Sequence, residues 1–341
     1  MFSFYPIPTG RAGGSNFLNS LKEILKKESN YSSKWEKADL ILLNSHHWLD
    51  SIFKIIKLRI KGKKFVIRID GPLQIYRKTF FSVFEDRIIY SIAKNLCSGV
   101  IYQSKWSASR NKDIDRNLGV LPERIIYNAS LSESKNIMNK GKEFCLFVSN
   151  SSNSLKGLSE FIDLANKSKD IPELSRLKFF IIGNFSSNRK ENNLINLGFK
   201  QKKDLEIWMM KCKYFIHPSK FEACSNALLE AINFKMIPFV YSSSSNVELV
   251  QDKRLQFSSV DELIIKLKLV ISNKNFKPKN LMLNDIDSAA QNYLNFFEEI
   301  LLQNPESNKF SFFKAINILF SYSNYILFKI IFAVIQRLNF K

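Results

Sequence analysis

The sequence predicts an α/β protein of two Rossmann-like domains with parallel sheets, followed by a helical tail. Three observations carry that expectation. Short, continuously apolar β-type runs alternate with longer helical patterns along most of the 341 residues, and uninterrupted apolar strands separated by helices belong in parallel sheets covered on both faces. A chain of 341 residues exceeds one compact core of ordinary size, so about two domains are expected. The polar stretch 130–142 breaks the alternation and marks the boundary.

The first series of apolar runs is 2–5, 40–43, 65–69, 100–102 and 125–127. The second is 145–148, 179–182, 214–217 and 237–241. Helical periodicity fills the intervals, for example at 15–27, 81–95, 156–166, 203–211 and 225–234. The expected limits are 1–135 for an N-terminal domain, 142–304 for a second, and 305–341 for the tail. In open α/β sheets ligands bind beyond the carboxyl ends of the strands, so the residues just after each run are where chemistry is sought.

Hydrophobic residues are 45% of the chain and include 30 Phe, enough apolar mass to exclude a disordered protein. The 51 Lys and Arg against 31 Asp and Glu give a net charge of +20, which favours an anionic partner. The cations are scattered in pairs such as Lys26-Lys27, Lys63-Lys64 and Lys202-Lys203, which weakens a nucleic-acid reading. Cys97, Cys145, Cys212 and Cys224 form no CxxC pair and mostly sit in apolar surroundings, so buried thiols in a reducing compartment are expected. The first residues lack the basic and long apolar regions of a signal peptide, and a cytoplasmic location is expected.

After the first run comes Pro8-Thr9-Gly10-Arg11-Ala12-Gly13-Gly14-Ser15 and then a helical pattern. Glycines let the backbone approach a ligand, and a helix start offers N–H groups to an anion; a plain strand-to-helix turn is the other reading. The strongest constellation is His217-Pro218-Ser219-Lys220-Phe221-Glu222-Ala223-Cys224-Ser225-Asn226-Ala227-Leu228-Leu229-Glu230. A strand ending at His217 feeds a loop bearing Glu222, Ser225 or Asn226 can cap a helix, and Glu230 falls inside that helix. The helix start can take a diphosphate while the carboxylates accept hydrogen bonds from sugar and ribose hydroxyls.

Two glutamates at that spacing are common on solvated helices, but here the pair stands before the apolar run 237–241 and then Ser242 to Asn246 and Glu248. That order resembles the nucleotide-sugar site of the retaining GT-B glycosyltransferases of family 4, whose signature is a Pro-Ser, an E-x7-E pair, and a following strand with a small-residue loop and its own Glu. The likeness runs from the first strand to about Gln303 and includes Gly13-Gly14, Ile67-Arg68-Ile69-Asp70-Gly71-Pro72, Gln103-Ser104, Ile126-Tyr127-Asn128 and Lys156-Gly157. It implies a GT-B fold, two Rossmann-like domains facing a central cleft, and transfer from a nucleotide-diphosphate sugar without a metal or other cofactor.

By that resemblance Glu230 holds the ribose hydroxyls, Glu222 holds the transferred sugar, and Lys156 meets the diphosphate. Gly13 and Gly14 close on the phosphates or the sugar, and Ser225, Asn226 and Glu248 complete the donor site. Asp70 takes the neighbourhood where relatives carry a His, either binding donor or acceptor or capping a turn with Gly71. Other departures are Asn150 where relatives carry an Arg, Lys235 where the helix usually ends in Gly, and a serine loop in place of a glycine pair.

His46 and His47 follow the second run and could line an acceptor side; no carboxylate cluster completes a metal site around them. Asp113-Ile114-Asp115 and Asp285-Ile286-Asp287 spell D-x-D, but in helical or capping contexts rather than at strand ends. The segment 310–340 is rich in Phe and Ile yet interrupted by Lys329, Ser and Asn. An amphipathic helix in the interface of an anionic membrane, near a lipid-linked acceptor, and a helix packed back on the N-terminal domain are both open. The rival functions are a nucleotide-sugar epimerase or hydrolase and a basic nucleic-acid-binding protein.

Overall fold

A computed structural model of the chain describes residues 1–5, 13–28, 30–45, 48–130, 144–149, 151, 153–185, 193–303 and 310–339. His46, His47 and Asn150, and nearly all of the expected linker, lie outside the described residues. The chain forms two compact units. One takes Met1–Arg11, Leu18–Tyr127 and Asp287–Lys341; the other takes Ala12–Phe17 and Asn128–Ile286.

The first unit begins with β1 (Phe2–Tyr5), the part of α1 (Gly13–Lys27) from Leu18 onward, β2 (Leu40–Asn44), α2 (Ile52–Ile60), β3 (Lys64–Ile69) and α3 (Leu73–Arg77). It continues with α4 (Phe80–Leu96), β4 (Gly99–Tyr102), α5 (Lys105–Ile114) and β5 (Glu123–Ile125). The strands pair in parallel in the order β1-β2-β3-β4-β5. Every residue of β2 is buried, as expected of a strand covered on both faces. Thr79 caps α4 by accepting from the Ser82 amide. The last strand sits two residues earlier than the apolar run 125–127 suggests, because pairing with β4 sets Glu123 opposite Val100.

The second unit contains β6 (Phe144–Val148), α6 (Leu158–Lys167), β7 (Lys178–Ile182), β8 (Leu194–Asn196), α7 (Lys202–Lys211) and β9 (Tyr214–His217). After these come α8 (Asn226–Asn233), β10 (Ile237–Tyr241), α9 (Asn246–Leu249), β11 (Gln256–Phe257) and α10 (Val260–Ser272). All pairings are parallel, in the order β11-β10-β9-β6-β7-β8. The chain starts in the middle at β6, moves outward one way to β8, and then returns to build the other side from β9. The reversal point lies between β6 and β9, where the crossovers leave in opposite directions and open a crevice at the strand ends. The first sheet follows chain order and has no such reversal.

Two helices close the chain, α11 (Ile286–Leu302) and α12 (Phe312–Asn339), and both are grouped with the first unit. Residues 287–303, expected in the second domain, therefore pack in the first, and the tail takes the expected alternative of a helix packed on the N-terminal unit. Phe297 meets Phe2 with ring centroids 5.0 Å apart. Lys64 Nζ donates to the carbonyls of Ile300, Leu301 and Gln303 at 2.8, 3.1 and 3.0 Å, satisfying acceptors that a helix end leaves without partners. Gly99 is required under α11, since a Cβ there would stand 2.8 Å from Ile300 and 2.9 Å from Phe296. The α12 helix buries Ile318 and Tyr325 in the same unit, and its Phe328 stacks on Phe84 of α4 at 4.1 Å. The four cysteines are buried and unbridged.

Candidate active site at the strand reversal

The loops that leave β6 and β9 meet at the reversal point. After β6, Asn153 accepts from the Leu155 amide at 2.8 Å and starts a one-turn 3-10 helix, Ser154–Lys156. Gly157 then takes φ +77°, and a Cβ there would lie 2.5 Å from the Pro218 carbonyl oxygen and 2.7 Å from its Cβ. Glycine is therefore obligatory twice over, for its dihedral and for the contact. Lys156 is thus held in a turn rather than in the helix expected over 156–166, and α6 begins one residue past the glycine.

The loop after β9 is fastened on both sides. The Lys220 amide and the Ser219 hydroxyl donate to the Leu155 carbonyl at 2.8 and 3.3 Å. Asn246 Nδ2 donates to the Ser219 carbonyl at 2.7 Å, Ser243 Oγ to the Lys220 carbonyl at 2.8 Å, and the Ser245 amide to the Glu222 carbonyl at 3.2 Å. The serine loop after β10 thus grips the loop that carries Glu222. Ser244 within it has φ 56°, the left-handed conformation for which a glycine would be the easy choice.

These fastenings bring Lys156 and Glu222 together, with Nζ donating to Oε1 at 2.8 Å. Side-chain exposures of 22% and 13% leave the pair sheltered but reachable. Burial pushes the Glu222 carboxyl up; Lys156, His217 and a hydrogen bond from Ser219 outweigh it and hold the group below the usual carboxylate range. His217 lies 3.6 Å from the same oxygen, but burial first, and Lys156 second, against the pull of Glu222, lower its imidazole to about 4. At neutral pH the histidine is uncharged, so Lys156 is the cation that keeps Glu222 ionised.

Ser225 caps α8, accepting from the Leu228 amide at 3.3 Å. Asn226 Oδ1 accepts from Asn128 Nδ2 at 2.8 Å, and the same amide donates to the Cys224 carbonyl at 3.0 Å. Asn128, in the motif Ile126-Tyr127-Asn128, therefore props the start of α8, a role its position before a polar stretch did not reveal. Glu230 sits just over one turn into α8. Burial raises its carboxyl to about 7, against a lowering by Lys202 and with a smaller raise from Glu206. Glu248 lies in the first turn of α9, its amide donating to the Ser245 carbonyl at 3.0 Å. His217 Nε2, Ser244 Oγ, Ser245 Oγ and Asn246 Oδ1 are buried without a hydrogen-bond partner among the described residues, a concentration of unmet polar atoms that a bound polar molecule would satisfy.

The remaining expected site residues fall elsewhere. Gly13 and Gly14 form the first turn of α1, in the stretch grouped with the second unit. Asp70 ends β3 in the first unit, 3.5 Å from Arg68 and hydrogen-bonded by Gln103. Its backbone carbonyl accepts from Ser107 Oγ and Asn111 Nδ2 at 3.1 and 2.8 Å, so this strand end is tightly tied. Asp115 of the first D-x-D caps a 3-10 turn by accepting from the Asn117 amide, the capping context expected. Among the described residues no cluster of three His, Cys, Asp or Glu side chains is arranged to hold a metal ion.

Two parallel-sheet units, with the polar constellation at the reversal point of the second, define a protein of the GT-B fold. Residues 130–288, nearly the whole second unit, match the family model described as glycosyl transferases group 1. Among solved structures the chain is similar to S. aureus TarM in complex with fondaparinux, alpha-GlcNAc-glycerol and UDP, with a TM-score of 0.54 at 14% identity over 91% of this chain and 58% of that one. It is similar to a UDP-forming alpha,alpha-trehalose-phosphate synthase from Burkholderia vietnamiensis, with a TM-score of 0.59 at 9% identity over 88% of this chain and 79% of that one. It is also similar to the pneumococcal O-GlcNAc transferase GtfA in complex with UDP and GlcNAc, with a TM-score of 0.53 at 13% identity over 83% and 60% of the two chains. The chain thus spans 58% of the length of TarM. No curated protein matches it in sequence.

Proposed function

We propose that this protein is a glycosyltransferase that moves a hexose-type unit from a nucleotide-diphosphate sugar to a glycan or lipid-linked acceptor, with retention at the anomeric carbon. The observation that carries the proposal is the meeting of Lys156 and Glu222 at 2.8 Å beside the capped start of α8, at the reversal point of the second sheet. In this reading Lys156 and the α8 amides stabilise the charge that builds on the departing diphosphate. Glu222 orients the sugar, and Glu230 accepts hydrogen bonds from the ribose hydroxyls. Gly13, Gly14, Ser225, Asn226 and Glu248 complete the donor pocket, and Asp70 serves the reacting sugar or the acceptor. Lysine and helix dipole take the part of a metal, so no cofactor is needed. The enzyme works in cell-surface polysaccharide or glycoconjugate synthesis on the cytoplasmic side of the membrane, in peripheral contact with it.

UDP-sugars head the panel of candidate donors, because the solved relatives named above are complexes with UDP or a UDP-forming enzyme. The test is thermal stabilisation of the purified chain by a panel of nucleotide sugars, followed by a transfer assay with the stabilising donor and anomeric NMR of the product. Stabilisation by one donor class and its loss in Glu230→Gln support the proposal; indifference to every nucleotide sugar refutes it.

A further inference from the structure

The α12 helix turns two unlike faces to its surroundings. Its inner face buries Ile318 and Tyr325. At about 100° per residue, the opposite face carries Phe312, Phe313, Ile316, Phe320, Leu327, Ile330 and Ile331 within an arc of about 100°. These residues are exposed, Phe312 and Phe313 at 77% and Phe320 at 68%. Phe53 at 68% and Phe80 at 63% flank the helix through ring contacts to Tyr322 at 6.1 Å and Phe328 at 5.5 Å. The result is an apolar ridge on the first unit, interrupted by the exposed Ser323, a surface that water does not favour.

Charge identifies what covers it. The α12 sequence contains no acidic residue, on a chain of net charge +20; at the same spacing Lys314 and Lys329 lie on the inner side of the helix, so the cation beside the ridge comes from α4. Along one edge of the ridge the seam with α4 opens a cavity of about 580 Å³, lined among others by Arg87, Lys94, Asn317, Ser321 and Phe320. Lys94 is bonded to Asp115 at 2.5 Å, whereas Arg87 has no ion-pair partner among the described residues and stands 5.5 Å from the Phe84 ring. An exposed arginine next to exposed aromatics matches the boundary of an anionic bilayer, where phosphate groups adjoin acyl chains. No helix of the described residues is long and apolar enough to cross a membrane.

We propose that α12 seats the protein on an anionic phospholipid bilayer, its outward stripe entering the headgroup–acyl boundary while Arg87 meets lipid phosphates at the mouth of the α4–α12 cavity. The surface is separate from the strand-reversal site and does not depend on the proposed transfer activity. The experiment is co-sedimentation of the full chain with vesicles of phosphatidylcholine alone and with 30% phosphatidylglycerol, beside the variant Phe312→Ser, Phe313→Ser, Phe320→Ser, Leu327→Ser and the variant Arg87→Glu. All five side chains are solvent-facing, so both variants should keep native circular dichroism and nucleotide-sugar binding. The wild type is expected to bind the anionic vesicles at least tenfold more tightly than neutral ones, the Ser variant to lose that binding, and Arg87→Glu to lose most of the anionic preference. Failure of the wild type to sediment, or equal binding by the Ser variant, overturns the proposal. So does a concentration-dependent dimer in light scattering that the Ser variant dissolves without any vesicle binding, because a second copy then covers the ridge.

Discussion

Lys156 and Glu222, 66 positions apart in sequence, are joined by a 2.8 Å charge-assisted hydrogen bond at the reversal point of the second sheet. The bond places a cation and a carboxylate on loops that leave neighbouring strands, β6 and β9, so sheet topology sets their separation. Under the proposed function, an incoming phosphate would share Lys156 with Glu222 or take it over, releasing the carboxylate toward a neutral, hydroxyl-rich group.

Replacing Lys156 by Ala removes the cation that holds Glu222 ionised. Turnover should fall roughly 10²- to 10³-fold, the usual loss when one stabiliser of developing negative charge is deleted, with a smaller change in donor affinity. Steady-state kinetics on Lys156→Ala and Lys156→Arg would check this; wild-type kcat in both variants would remove Lys156 from the mechanism.

Glu230 makes a pH prediction. Its carboxyl is raised from 4.5 to about 7 by burial, so between those values the native state holds a proton that the unfolded chain has released. Its contribution to stability is therefore complete below about 4.5 and is lost as pH rises through 7, by no more than about 3 kcal/mol. Urea unfolding from pH 5 to 8 should show this decline in the wild type and a flatter curve in Glu230→Gln. Donor affinity should move the opposite way, rising with pH to about 8, since only the carboxylate accepts from two ribose hydroxyls.

Gly157 admits no side chain. Gly157→Ala adds a Cβ 2.5 Å from the Pro218 carbonyl oxygen at φ +77°, so the two loops must part. A destabilisation of about 1–3 kcal/mol is expected, together with a loss of transfer activity larger than the unfolded fraction explains. Activity measured well below the melting temperature separates the two effects.

Lys235 follows α8 at φ 57°, where a side chain is disfavoured by about 1–2 kcal/mol. Lys235→Gly should raise stability by about 1 kcal/mol and leave kinetics unchanged. Denaturant midpoints at constant m-value would register the gain.

The strands Phe2–Tyr5, Tyr214–His217 and Ile237–Tyr241 stand where the apolar runs put them, because mostly apolar runs of this length suit strands covered on both faces. β8 and β11, with three and two residues, escaped notice because edge strands this short leave no periodicity. The placement of α11 was missed for another reason. Its apolar face reads the same whichever sheet it covers, and only the fit of Phe296 and Ile300 over Gly99 decides the matter. In the site, the spacing of Glu222 and Glu230 and the turn at Lys156-Gly157 were legible as pattern. The neutrality of His217 and the anchoring of α8 by Asn128 were not, since both arise from neighbours distant in sequence.

The first unit draws its strands from the early part of the chain and its last two helices from residues beyond 286. During synthesis the whole β6–α10 segment must be made before α11 can cover Phe2 and Gly99 and α12 can reach α4. Until then the early sheet waits with apolar flanks open to chaperones or to aggregation. Fragments that stop short of α11 should accordingly behave as sticky, incompletely assembled products, while residues 128–286, nearly self-contained, are the better starting point for an isolated domain.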